Sequence, residues 1–129
     1  MIMIKEDYVS FEVEKLLKEK GFDEKCEYCY AEFSKDDIKV IALSPAKRAQ
    51  SLKEDRYPYV TLQMAMKWLR EVHGIFVSIE YSHICEQFKY TICLKDLSLR
   101  ENGAHVDYIY NSYEAACEAA IKYCLENLI

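Results

Sequence analysis

The 129-residue sequence has only three glycines, two prolines and one tryptophan. With so few glycines it contains no Gly-rich loop that could cradle a phosphate and no dinucleotide-binding fingerprint. No apolar run approaches the roughly 20 residues of a membrane-spanning helix, and the first seven residues lack the apolar core of a signal peptide. We therefore expect a cytoplasmic protein that makes no contact with a membrane.

An excess of basic residues is also missing. The chain has 22 acidic and 17 basic side chains, which give a net charge of −5. A negative protein is repelled by the phosphates of nucleic acids and by anionic membrane surfaces. The charge balance therefore argues against nucleic acid as a partner.

Hydrophobic residues, in contrast, are plentiful, at 51% of the chain, and 30% of the residues are charged. A chain of this size buries about two-thirds of its unfolded surface, which stabilises a fold without disulfides or a metal. We predict one domain over 1–129 and no cofactor.

Hydrophobic periodicity predicts an α+β fold in the order helix, hairpin, helix, hairpin, helix. Ser10 and Ser112 are predicted N-caps, and Gly21 and Gly74 are predicted to end the first two helices. We expect one antiparallel sheet that helices cover on one face. The predicted elements are a helix over 11–20, a hairpin over 26–43, a helix over 61–73, a hairpin over 75–95, a short strand over 106–110 and a helix over 113–127.

The segment 44–60 has no clear period and is predicted to be a long charged loop. It holds both prolines, and its four basic and two acidic residues make it net positive by two charges. Basic and aromatic side chains next to a helix N-terminus suit an anion that carries a stackable ring. The same pattern is typical of a solvated loop whose tyrosines cover the core edge. The candidate anion-binding residues are Lys47, Arg48, Arg56, Tyr57, Tyr59, Thr61, Lys67 and Arg70.

The six cysteines are expected to be reduced thiols that mostly pack as small hydrophobic side chains. Cys117 and Cys124 are seven residues apart and should share one helix face. A zinc site is a weaker alternative, because the second pair of ligands is spaced too closely for a zinc knuckle. Its candidate ligands are Cys26, Cys29, His83 and Cys85.

Three segments of the chain resemble a family of small proteins encoded by phages and mobile elements of gut anaerobic bacteria. They are the stretch from Tyr8 to Glu24, the stretch from Thr61 to His73, and the stretch from Tyr113 to Leu125. To our knowledge the family has no assigned activity, cofactor or catalytic residue. The resemblance implies an accessory protein expressed in a bacterial cytoplasm.

No nucleophile, general base or metal motif points to catalysis, so we predict a non-enzymatic interaction protein. Its expected partner is a host protein or a small anionic molecule. The alternative is nucleic-acid binding by the helix over 61–73 and the hairpin that follows it, with Lys67 and Arg70 on phosphates. Eleven tyrosines and five phenylalanines further predict a homodimer, formed through a sheet edge or the last helix.

Overall fold

The computed structural model describes residues 4–24, 28–43, 56–95 and 108–129. These residues form an α+β protein with three helices and two small antiparallel sheets. The chain divides into two compact units, Met1–Thr61 and Leu62–Ile129. Each unit contains one of the two sheets.

The first unit begins with helix α1, Phe11–Glu19. The Ser10 hydroxyl accepts a hydrogen bond from the Val13 N–H at 3.4 Å, which satisfies one of the unpaired donors of the first turn. Gly21, with φ of +93°, follows the C-terminus in a conformation that other residues rarely adopt. The helix therefore starts and stops where its sequence predicts.

The sheet of the first unit has the strand order β2-β1-β3. Strands β1, Tyr28–Ser34, and β2, Asp37–Ala42, form an antiparallel hairpin, and β3, Arg56–Pro58, pairs with the other edge of β1. The register of the hairpin shifts between Glu32 and Ser34. At this point the alternation of apolar and polar residues in the sequence is also broken.

Two expectations change at β3. The segment 44–60 was expected to be a loop, yet Arg56–Pro58 is a strand, while 44–55 lies outside the described residues. One sheet was expected, whereas the described strands form two. Three residues are too few to display a period of two, so the pairing of β3 with β1 left no signal in the sequence.

The second unit contains helix α2, Leu62–His73, strands β4, Ile75–Ser82, and β5, Gln87–Leu94, and helix α3, Tyr113–Asn127. Gly74 ends α2 with φ of +66°, and its carbonyl accepts the Lys95 N–H at 2.8 Å. Strands β4 and β5 pair over their full length. The Ser112 hydroxyl caps α3 by accepting the Ala115 N–H at 3.0 Å.

Helix α3 packs on both strands of the second unit and α2 packs on β4. The helical period of the sequence predicts Val72 in the buried stripe of α2 and Trp68 at its edge. In the structure the stripe includes Trp68, whereas Val72 is 57% exposed. Burial of the larger Trp ring removes more apolar surface from water. At the end of the predicted short strand, Tyr110 makes an isolated bridge to Phe88. None of the described helices has the length and apolar character needed to traverse a bilayer.

Candidate functional site

The predicted anion-binding residues are divided between the two units. Arg56, Tyr57 and Tyr59 lie in or directly after β3, and Thr61 ends the first unit with a bridge to Tyr8. Lys67 and Arg70 lie on α2 of the second unit, and Lys47 and Arg48 lie outside the described residues.

Tyr59 belongs to a cluster of tyrosine rings. It stacks on Tyr30 with ring centroids 5.0 Å apart and meets the edge of Tyr8 at 4.1 Å. Burial, with smaller contributions from Tyr8 and Glu14, raises the pKa of the Tyr59 hydroxyl. These contacts are those of a ring that covers the core.

A buried carboxylate holds this cluster against α1. Glu14 is 0% exposed, and its Oε1 accepts the main-chain N–H of Val60 at 3.0 Å. Five residues before Glu14, and before α1 begins, the Val9 N–H donates to the Val60 carbonyl at 3.0 Å. The segment after β3 is therefore fixed to the start of α1 by two hydrogen bonds. The four-residue spacing of Glu14 and Lys18 predicts instead an ion pair between them at the helix surface.

Tyr57 has a different environment, in which two lysines of α1 approach its ring. The ammonium groups of Lys15 and Lys18 lie 6.0 Å and 5.0 Å from the centroid. The ring of Phe11 meets Tyr57 edge to face at 5.2 Å. An open depression of about 390 Å³ is lined here by Lys15, Lys18, Glu19 and Tyr57. We call it the Lys15–Lys18 depression.

Two contacts give this depression a defined shape. The Lys18 ammonium group donates to the main-chain carbonyl of Arg56 at 2.6 Å, which ties α1 to β3. Phe11 stands between Tyr57 and Tyr30, with its centroid 5.4 Å from that of Tyr30. The Lys18 side chain and the Tyr57 ring are thus held in place before any ligand arrives, which lowers the entropic cost of binding.

The Arg56 side chain points elsewhere. Its guanidinium lies 5.5 Å from the centroid of Phe33, and the Lys39 ammonium group lies 5.9 Å from the same ring. Phe33 is 55% exposed. Arg56 therefore contributes its carbonyl to the Lys15–Lys18 depression, and its cation stacks on a separate ring.

Lys15 and Lys18 were absent from the predicted site. Their spacing from Glu12 and Glu14 predicts both on the solvent-facing side of α1, as partners of these glutamates. A signal was present, because Phe11 and Lys15 are four residues apart and therefore neighbours on a helix. Their proximity to Tyr57 depends on the pairing of β3 with β1, which the sequence does not reveal.

The candidate metal ligands are spread over both units. Cys26 lies outside the described residues, Cys29 is buried in β1, and His83 and Cys85 lie in the β4–β5 turn. Within the described part of the chain, no three His, Cys, Asp or Glu side chains are grouped to hold a metal.

On α2, Lys67 and Arg70, the side chains predicted to contact phosphates, are exposed. The neighbouring Gln63 donates from Nε2 to the Tyr113 hydroxyl at 3.1 Å. Gln63 is therefore occupied in joining α2 to α3. The exposed cations on this face are one helical turn apart.

Comparison with known proteins gives no relative from which a function could be transferred. No family model, no curated protein and no solved structure matches the chain.

Proposed function

We propose that this protein is a non-enzymatic binding module that captures a small anionic molecule in the Lys15–Lys18 depression. The observation that carries the proposal is the approach of two ammonium groups, at 6.0 Å and 5.0 Å, to one half-buried tyrosine ring. Two cations at a concave surface attract a phosphate or carboxylate group. The Tyr57 ring lies beside the two ammonium groups and offers a flat apolar surface to the rest of the ligand.

The charge distribution favours a small ligand over a polymer. Glu19 lines the same depression as Lys15 and Lys18. Its carboxylate repels negative charge that extends beyond the two lysines. The best match is therefore a compact molecule with one anionic group and an apolar or aromatic part.

The resemblance to proteins of phages and mobile elements gives the proposal its setting. In that setting the protein is a cytoplasmic accessory protein with the predicted helix, hairpin, helix, hairpin, helix order, and its ligand is a metabolite of the bacterial host. A host protein that presents an acidic side chain to the same depression is the other partner consistent with this surface.

Nucleic-acid binding through α2 is the second candidate. It is favoured by the exposure of Lys67 and Arg70, one helical turn apart, on a helix that is followed directly by a hairpin. The net charge of −5 opposes it. Binding to a DNA duplex that weakens steeply with salt and is lost in Lys67→Ala would support this candidate over the first.

Titration by NMR or calorimetry tests the first candidate, with inorganic phosphate and adenosine 5′-monophosphate as probes. We expect Lys15→Ala and Lys18→Ala each to weaken binding about tenfold, as the loss of one charge-assisted contact of about 1.4 kcal/mol does. Adenosine 5′-monophosphate should bind more tightly than phosphate, because its base can lie against Tyr57.

Arg56→Ala is the matched control, since it removes a cation of β3 and keeps the carbonyl that accepts from Lys18. We expect it to bind both probes as the unaltered protein does. Equal weakening by Arg56→Ala and Lys15→Ala would place the anion outside the depression. Absence of binding to either probe at millimolar concentration would rule out the proposal.

A further inference from the structure

Strand β2 lies at an edge of the first unit's sheet and exposes apolar side chains. Among the strands that the structure describes, it pairs with β1 alone. Ile38 and Val40 are 36% and 44% exposed. The strand has six residues with neither proline nor glycine, so each of them has a main-chain N–H and C=O and none lacks a side chain.

The pairing of β1 with β3 fixes the direction of the main-chain groups. The Tyr59 N–H donates to the Tyr28 carbonyl at 3.3 Å, so Tyr28 directs its carbonyl toward β3. Cys29 is paired with Pro58, which has no N–H to donate. Because main-chain groups alternate along a strand, the odd-numbered residues of β1 direct theirs toward β2.

The same alternation continues into β2. Cys29 and Ala31 are paired with Ile41 and Lys39, so the odd-numbered residues of β2 bond to β1. The even-numbered residues, 38 to 42, direct their N–H and C=O groups away from β1. The outer edge of β2 therefore presents a regular row of donors and acceptors, with Ile38 and Val40 as its exposed side chains.

We propose that β2 pairs in antiparallel fashion with β2 of a second copy of this chain, on a two-fold axis that passes through Ile38. A two-fold axis places each residue opposite a symmetry-related one. Centred on Ile38, it sets Asp37 opposite Lys39 of the partner subunit, and Lys39 opposite Asp37 of the partner subunit. Both pairs occupy non-hydrogen-bonded positions, where side chains approach most closely.

Charge selects this register over its neighbours. An axis through Lys39 would set the two copies of that lysine opposite each other, and like charges at such positions destabilise a sheet. An axis through Val40 would set Asp37 opposite Leu43 of the partner subunit, so neither Asp37 nor Lys39 would lie opposite a charge of the other sign. Within one chain the Lys39 ammonium group already lies 3.9 Å from the Asp37 carboxylate, with both side chains about half exposed or more. Pairing would bring four charges together, two on each strand, with each one opposite a charge of the other sign.

The other face of the new sheet is apolar at its centre. Ile38 would lie against its own symmetry copy, and Val40 would lie on the same face, opposite Asp36 of the partner subunit. The pairing covers side chains that water now contacts, and the outward N–H and C=O groups of Ile38 bond to those of its symmetry copy. This interface is separate from the Lys15–Lys18 depression, so its test does not depend on the proposed function.

Charge reversal tests the register, with multi-angle light scattering across micromolar concentrations as the measurement. The unaltered protein should have twice the 15.2 kDa mass of one chain. Asp37→Lys and Lys39→Asp each create two like-charge contacts per dimer. We expect each to weaken dimerisation by at least about tenfold, which corresponds to about 1.4 kcal/mol.

The double variant Asp37→Lys with Lys39→Asp restores both attractive pairs and should restore the dimer. Lys67→Asp, on α2 of the second unit, is the control with the same change in charge as Lys39→Asp, and it should remain dimeric. Circular dichroism establishes that each variant is folded. A 15.2 kDa mass for the unaltered protein, or a dimer that neither single reversal weakens, would overturn the proposal. A double variant that stays monomeric while folded would also overturn it.

Discussion

The buried carboxylate of Glu14 accepts the main-chain N–H of Val60, a residue 46 positions away in the sequence. The bond joins the middle of α1 to the segment that follows β3. Together with the bond from the Val9 N–H to the Val60 carbonyl, it holds together the two elements that form the Lys15–Lys18 depression.

Loss of this acceptor should destabilise the protein. Glu14→Ala leaves the buried Val60 N–H without its bond, at an expected cost of about 1–3 kcal/mol in the free energy of unfolding. Glu14→Gln keeps an acceptor oxygen and should cost less. Urea denaturation measures both. Glu12→Ala, on the exposed side of the same helix, should change stability by no more than about 0.5 kcal/mol.

Thiol labelling should separate the described cysteines into two groups. Cys29, Cys117 and Cys124 are buried, whereas Cys85 and Cys93 are exposed. In native protein at neutral pH, we expect iodoacetamide to modify Cys85 and Cys93 within minutes and the buried three only after denaturation. Peptide mapping by mass spectrometry identifies the modified positions. Rapid labelling of Cys117 in the native state would contradict the packing of α3.

Stability should fall at alkaline pH. Burial raises the pKa of the Cys117 thiol to about 11 and that of Cys124 to about 12, from an ordinary value of 9.0. Above pH 9 the unfolded thiols lose protons that the folded ones retain, so each thiol lowers stability by up to about 1.4 kcal/mol per pH unit. Below pH 9 this contribution is constant.

Cys124→Ala isolates that effect. Its unfolding free energy should depend less steeply on pH between 9 and about 11 than that of the unaltered protein. Parallel curves for Cys124→Ala and the unaltered protein would mean that this thiol ionises as readily in the folded state as in the unfolded chain.

Gly74 should tolerate substitution less well than Gly21. Both have positive φ, of +66° and +93°, so alanine is strained at either position. A Cβ at Gly74 would also lie 3.1 Å from the Lys95 Cβ, whereas at Gly21 it would meet no atom within 4 Å. We expect a loss of about 1 kcal/mol for Gly21→Ala and a larger one for Gly74→Ala, measured by thermal unfolding.

Local signals in the sequence were sufficient for the helix ends. Ser10 and Ser112 are caps in the structure because a serine hydroxyl satisfies N–H groups that every helix leaves unpaired. Gly21 and Gly74 end their helices because positive φ favours glycine. The β4–β5 hairpin also follows from a period of two over its whole length.

Signals that depend on distant pairing were missed. No pattern in the sequence indicates that Glu14 is buried, because its partner Val60 is brought near only when β3 pairs with β1. The role of Lys15 and Lys18 was missed for the same reason. The candidate site predicted from basic and aromatic residues included Arg56 and Tyr57, which the structure sets in one strand with their side chains in different surroundings.

The in-register hairpin β4–β5 has consequences for the order of folding. Its eight pairs of residues are all close in sequence, and a hairpin forms in about 1–10 μs. The bond between Glu14 and Val60 requires closure of a much longer loop, which is slower. In refolding from denaturant, we therefore expect the hairpin to precede the first unit's core. On the ribosome, where synthesis adds about 5–20 residues per second, the first unit emerges seconds earlier and this order is reversed.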